Sequence, residues 1–409
     1  MTATANTRLA SAEDHAHLFS VNYSYDYLRD VSLDYLQLPS LQLNEHLTSG
    51  TLLARAGVAS SSRSDGAGAH WIPIFPASAG IASRTALRVF RQSKHWRTVL
   101  AAGADALQHF LRDDSFQQAV RSGKTFSKIS AKLLHNVEDG FLRFAVYLFP
   151  DADEEQVRLL AIVMVYIFVF DDLWEMEDGE DVAKLRDDFV SRLQVRPTTA
   201  SSPDGQTTTT PLQAMIDSSI AALRGPRFAS TGGQEVIDEL ISFCSHAPPP
   251  PRPFRDLGDY LAYRREDAAY PCILACTKFA INSTVAIRSP RLARMVELMG
   301  NHMIYANDLG SFAKEKRAHA AGKIRHLINS VHVVGQLLGL PSDDAAKGVV
   351  YGLQLQAECD MDAEVARLLR EDGLDAEEWR FLDACLVLTA GNLLCTSIMD
   401  RYGGEQGRL

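Results

Sequence analysis

Asp171, Asp172 and Glu175 close an apolar run, Leu159 to Phe170, that contains no charged residue. On a helix Asp171 and Glu175 share a face, while Asp172 stands about 100° round it. Carboxylates at the end of a buried helix are costly unless they face ions or a cavity. Acid at a helix C-terminus also opposes the macrodipole. A hard cation such as Mg²⁺ accepts such oxygens, with water and phosphate completing its octahedron. The competing reading is an acidic stretch running into solvent, since Glu177, Asp178, Glu180 and Asp181 follow.

A second set lies far downstream. Asn307, Ser311 and Glu315 are each four residues apart. On a helix they form one stripe about 12 Å long. An amide oxygen, a hydroxyl and a carboxylate along one stripe suit a single Mg²⁺. Lys314, beside the stripe, could meet a phosphate as a point charge. Alone, this could be an ordinary polar helix face; together with the first set, two oxygen-rich patches point to metal-held phosphate.

Taken together, DDLWE (171–175) and NDLGSFAKE (307–315) resemble the two metal-binding motifs of class I terpene cyclases, particularly the microbial and fungal-type sesquiterpene synthases. Asp171, Asp172 and Glu175 match the family's D-D-x-x-D/E pattern. Asn307, Asp308, Ser311, Lys314 and Glu315 match N-D-x-x-S-x-x-K-E without exception. Arg401-Tyr402 resembles the family's terminal Arg-Tyr pair, which donates to diphosphate, and Tyr263-Arg264-Arg265-Glu266-Asp267 resembles its diphosphate-sensing segment. Arg264 fits the sensor position better, with Arg265 as the alternative. There are three departures. The N-terminal 80 or so residues have no counterpart in the compact microbial enzymes. Ala268 and Ala269 stand where relatives often carry a glycine. Cys395, six residues before Arg401, occupies a position where relatives often have tryptophan.

The resemblance implies an enzyme, a Mg²⁺-dependent terpene synthase of the carbon-oxygen lyase class. It would ionise a linear prenyl diphosphate, farnesyl diphosphate first, and cyclise the cation to a sesquiterpene hydrocarbon. Three Mg²⁺ would be held by Asp171, Asp172 and Glu175 on one side and by Asn307, Ser311 and Glu315 on the other. Arg264 or Arg265, Lys314, Arg401 and Tyr402 would bind the diphosphate. Phe168, one turn before Asp171, is the leading aromatic candidate to face the cation; Tyr166, Phe170, Phe279 and Tyr305 read more readily as core. Cys395 would leave its part of the cavity wall wide and without a π face. The alternatives are a diterpene cyclase acting on geranylgeranyl diphosphate and a non-catalytic helical binding or scaffold protein.

The elements that must carry these residues are helices. From Val89 onward apolar residues recur at three- and four-residue spacing, notably in 97–112, 128–149, 155–176, 180–194, 212–223, 234–246, 256–285, 290–318, 321–338, 343–370 and 375–401. Alternating strand patterns are nearly absent. The segment PTTASSPDGQTTTTP (197–211) reads as a solvated loop, and the prolines of APPPPRP (247–253) must end a helix. The expected fold is all-α: an N-terminal, partly irregular extension over 1–90, then a single helical domain over 91–409, which the resemblance makes a class I terpenoid synthase bundle around an apolar cavity.

Composition excludes several other classes. The 41 basic and 51 acidic residues among 409 give a net charge of −10, which argues against nucleic acid as the partner. The six cysteines form no CxxC pair, so free thiols in a reducing compartment are expected. The N-terminus has no apolar run of the secretory kind. The run 159–170 is too short to span a hydrocarbon core of about 30 Å. A cytoplasmic protein without a membrane span is expected, and a homodimer is left open.

Overall fold

The computed structural model of the chain describes residues 21–33, 47, 51–58, 70–82, 84–114, 116–117, 137–176, 180–195, 209–250, 252–371 and 373–403, without the side chains of 51, 172–176 and 181. Helices dominate, as the periodicity requires. They are α1 (Thr51–Arg55), α2 (Trp96–Arg112), α3 (Arg143–Leu148), α4 (Glu154–Met176), α5 (Glu180–Gln194), α6 (Pro211–Leu223) and α7 (Gly233–Cys244). The chain continues through α8 (Leu257–Asp267), α9 (Tyr270–Ala280), α10 (Ala293–Ala320), α11 (Ser330–Leu338), α12 (Asp343–Glu371) and α13 (Ala376–Ile398).

The bundle is organised around α13. A capping box between Asp375 and Glu378 starts this helix, and almost every later residue in it is buried. It passes α3 so closely that a Cβ on Gly391 would lie 2.2 Å from the Tyr147 carbonyl oxygen; only glycine permits that approach. It is also the one helix, among the described residues, long and apolar enough to cross a membrane, yet its most apolar window is wholly buried within the protein. On its other side α13 packs against α10, and α10 against α12. The run 159–170 lies within α4, where only Phe168 escapes full burial. Each fully buried large apolar side chain there contributes roughly 1.5–3 kcal/mol.

Three predicted stretches differ from the structure. The stretch 256–285 is two helices, because Pro271 lacks the amide that would bond back to the end of α8. Between the two helices Ala269 takes φ 56°, a left-handed turn. The stretch 321–338 becomes helical only at Ser330, where Asn329 accepts the Val331 amide as the N-cap. Of 128–149, residues 128–136 lie outside the described residues and the helix covers 143–148. Most of the predicted loop 197–211 likewise lies outside them.

One feature has no signal in the periodicity. Strands β1 (Trp71–Pro73) and β2 (Arg91–Ser93) pair antiparallel, with Trp71 opposite Ser93; three residues each are too short to show alternation. Arg91 anchors the pair to the bundle. It lies over the Trp71 ring at 4.3 Å and reaches Asp151 at 3.3 Å and Asp383 of α13 at 3.2 Å. Described residues before position 91 share the helical core: Leu47, Leu52, Ile74 and Leu87 join the main apolar cluster, while Tyr27, Leu28 and Val31 join a second one beside α8, α10 and α12. The six cysteines are all unpaired.

Candidate active site

A cavity opens among α4, α8, α9, α10 and α13, with about 960 Å³ of empty space including its open mouth. Asp171 from α4, Arg264 from the last turn of α8, and Asn307, Ser311, Lys314 and Glu315 from α10 line it, joined by Arg401 and Tyr402 just after α13. Residues far apart in sequence thus converge on one opening. Asp172 and Glu175 fall within α4, but their side chains lie outside the described residues. Arg265 and Cys395 are not brought to the cavity. Arg265 turns instead to α10, donating to Asn301 Oδ1 at 2.8 Å. Cys395 is fully buried within the core, and Asn392, about 60° round the same helix, lines the wall in its place.

The α10 oxygens are held in defined orientations. Asn307 Nδ2 donates to Tyr402 Oη at 2.9 Å, so the Asn307 carbonyl oxygen is the atom left to accept a ligand. Asn329, the N-cap of α11, donates to Glu315 Oε2 at 2.9 Å, to the Asp308 carbonyl at 2.9 Å and towards Ser311 Oγ at 3.4 Å. One amide therefore fixes two of the three candidate ligands. Asp308 points away from the opening. It is fully buried, accepts the Ser330 amide at 2.8 Å and the Tyr260 hydroxyl, and pairs with Arg264. Burial lifts the Asp308 carboxyl above its usual range, against the pull of Arg264.

Arg264 sits between two carboxylates. Its Nη2 lies 3.1 Å from Asp308 Oδ1 and its Nη1 donates to Asp267. Burial works against the guanidinium charge, but Asp308 and Asp267 outweigh it and keep Arg264 protonated. Asp267 also accepts from Tyr263 at 3.2 Å and meets His246 Nε2 at 3.3 Å. Burial opposes its ionisation, yet Arg264 and His246 hold its carboxyl below the usual range.

Arg401 links mouth and wall. Its Nη2 lies 3.5 Å from Asp171 Oδ2, and its guanidinium sits over the Phe168 ring, 5.0 Å from the centroid. Phe168 in turn stacks on Phe144 at 5.3 Å and packs against Phe141 at 4.8 Å. Below them the lining is apolar and aromatic, including Met164, Phe243, Tyr270 and Met303. Tyr166, Phe170 and Phe279 are packed among other rings in the core, Phe170 stacking on Phe189 at 4.2 Å. Tyr305 is buried in the second apolar cluster.

Sequence reasoning missed Phe144, Phe243, Tyr270 and Asn392 as lining residues. None belongs to a motif, so only the packing of helices distant in sequence could reveal them. Asp267 belongs to the segment singled out in the sequence, one turn after Arg264, at a spacing where ion pairs form on helices.

The donor chemistry fits hard divalent cations. Asn307, Ser311 and Glu315 offer amide, hydroxyl and carboxylate oxygens along one face, opposite Asp171.

The family model described as terpene synthase family 2, C-terminal metal binding, matches residues 163–351, a span that holds Asp171, Arg264 and all the α10 donors. Terpene cyclase 6 of Gibberella fujikuroi is 24% identical over 339 residues, covering 81% of this chain and 85% of that protein. Terpene cyclase aneC of Aspergillus aculeatus is 22% identical over 348 residues, covering 83% and 75%. Among solved structures, aristolochene synthase from Penicillium roqueforti superposes with a TM-score of 0.53 at 19% identity, covering 72% of this chain and 93% of that one. At that identity the likeness establishes the fold, the all-α class I terpene synthase fold.

Proposed function

We propose that the chain is a Mg²⁺-dependent class I terpene cyclase that ionises farnesyl diphosphate and cyclises the cation to a sesquiterpene hydrocarbon. The observation that carries this reading is the convergence of Asp171, the Asn307–Ser311–Glu315 stripe and the basic donors on one cavity with an aromatic wall. Asp171, with Asp172 and Glu175 beyond it on α4, and Asn307, Ser311 and Glu315 would hold three Mg²⁺ between them. Bound there, the ions would neutralise the diphosphate and make it a leaving group.

The chain's own residues do the rest. Arg264, Lys314 and Arg401 donate charge-assisted hydrogen bonds to diphosphate oxygens and hold the leaving group at the mouth. Tyr402 stays protonated, because burial pushes its hydroxyl pKa up. Its oxygen already accepts from Asn307, so its proton remains for the diphosphate. These donors stabilise negative charge as the allylic C–O bond breaks. The prenyl chain then lies below, against Phe168 and Phe144, whose ring faces favour positive charge without quenching it. The apolar lining keeps water from the cation. We place this activity in the cytoplasm, in keeping with the unpaired thiols.

Incubation with C10, C15 and C20 prenyl diphosphates and Mg²⁺, followed by mass spectrometry of the extract, tests the reading. The expected result is a cyclic C15 hydrocarbon from farnesyl diphosphate. A C20 product alone would make the chain a diterpene cyclase, and no Mg²⁺-dependent product from any chain length would refute catalysis.

A further inference from the structure

The described part of the N-terminal segment runs directly behind the C-terminal donors. Tyr23 Oη donates to the Tyr402 carbonyl oxygen at 2.5 Å, in a buried contact. Two residues on, the Tyr25 amide donates to the Ser397 carbonyl at 2.6 Å. Gly403 follows Tyr402 at φ 67°, and a Cβ there would lie 2.4 Å from Tyr23 Oη and 2.8 Å from the Tyr25 ring. Arg317 of α10 donates to the Gly403 carbonyl at 3.3 Å. The segment is itself fixed: Arg84 Nε donates to Asp26 Oδ1 at 2.9 Å, and Tyr27 and Leu28 are buried in the core.

We propose that residues 21–31 form a clasp on the C-terminal turn and that Tyr23 is a positioning residue for the Arg401–Tyr402 pair. The proposal rests on the diphosphate-binding role assigned above to that pair. Residues 401–403 follow the last helix as a turn with one backbone bond of its own, the Tyr402 amide donating to the Met399 carbonyl at 3.2 Å, so groups from elsewhere in the chain share in holding it. The contacts instead form a relay. Tyr23 holds the Tyr402 backbone, and the Tyr402 hydroxyl meets Asn307, the first α10 donor. Tyr23 supplies no ligand. It sets how often the turn is docked when substrate arrives, and a binding-competent state that is less populated weakens apparent affinity in proportion. Once substrate has docked the turn, the chemistry proceeds as before. The clasp should therefore act on KM and leave kcat alone.

The test is Tyr23→Phe in the full chain, which keeps the ring and removes the hydrogen bond. Steady-state kinetics with the preferred prenyl diphosphate would be paired with calorimetric binding of inorganic pyrophosphate in Mg²⁺. The expected result is a KM and a pyrophosphate Kd each raised about five- to tenfold, the effect of losing one buried hydrogen bond, with kcat within about twofold and the product profile unchanged. Gly403→Ala approaches the same contact from the other side and should raise both constants too. A lowered unfolding midpoint with wild-type KM and Kd in both variants would reduce the clasp to a structural role and overturn the proposal. If the wild-type protein turns over no prenyl diphosphate, the functional reading fails by itself, and the pyrophosphate comparison still decides the clasp.

Discussion

Arg264 and Asp308 form a buried ion pair, Nη2 to Oδ1 at 3.1 Å, behind the stripe that Asp308's neighbour Asn307 begins. The pair separates two adjacent motif residues by role: Asn307 faces the cavity, and Asp308 ties α10 to the end of α8 and, through the Ser330 amide, to the start of α11. Removing Asp308 leaves Arg264 with Asp267 but takes the acceptor from the Ser330 amide and the Tyr260 hydroxyl, at about 1–3 kcal/mol for each buried group left unsatisfied. Asp308→Ala should lose stability in that range by urea unfolding, even with Mg²⁺ and pyrophosphate absent. A variant as stable as wild type would show that the pair does not hold the helices together.

Asn329 should matter to metal binding although it is not a proposed ligand. It orients Glu315 and approaches Ser311. Partners of metal ligands typically govern affinity by about 10–100-fold. Asn329→Ala should raise the Mg²⁺ concentration for half-maximal activity by about that factor, and loss of the α11 cap should cost about 1 kcal/mol. An unchanged Mg²⁺ titration would detach Asn329 from the metal site.

The His246–Asp267 contact gives a pH signature. Burial would lower the His246 pKa, but the Asp267 hydrogen bond and charge, with the Phe243 carbonyl, raise it above the usual value of about 6.5. A raised folded-state pKa gives stability that is fully present below about pH 6.5 and lost as pH rises through the folded value. His246→Gln should therefore flatten the stability profile on the alkaline side of pH 6.5. A variant with the wild-type slope there would assign that slope to other groups.

Asn392 should direct product and leave ionisation alone. Its Nδ2 donates to the Met303 carbonyl at 3.1 Å. A carbonyl can only accept, so the amide orientation is settled, and the opposite end of the amide carries the oxygen of this cavity-lining residue. An amide dipole on a wall otherwise rich in apolar side chains favours positive charge nearby. Asn392→Leu, close in size, should release diphosphate at a rate within about tenfold of wild type and change the product ratio, read by gas chromatography. An unchanged ratio would remove Asn392 from cation routing.

What can be read from the sequence follows from what each role demands. Metal and diphosphate binding require particular residue types at helical spacing, so Asp171, the α10 stripe and Arg401-Tyr402 stand out in the sequence itself. Cavity walls require only the right volume in the right place. Phe144, Phe243 and Tyr270 therefore carry no local signal. Likeness to relatives puts Cys395 on the wall, whereas in this chain that part of α13 is core and Asn392 meets the cavity. The break between α8 and α9 has its cause in Pro271, although the helix formers Ala268 and Ala269 carry the helical pattern up to it. The pairing of β1 with β2 and of Tyr23 with Tyr402 depends on contacts far apart in sequence, which periodicity does not report.

The most direct test of the account is Mg²⁺-dependent release of diphosphate from farnesyl diphosphate, measured for wild type and Asn307→Ala at matched helicity. Asn307 Oδ1 is a proposed metal ligand, and its Nδ2 fixes the Tyr402 hydroxyl, so its loss should disable both sides of the leaving-group site. The account predicts release by wild type that stops in a chelator, and a loss of about 10²–10³-fold in the variant, the effect of removing one transition-state charge stabiliser. Wild-type rates from a folded Asn307→Ala protein, or release that persists without divalent metal, would contradict it.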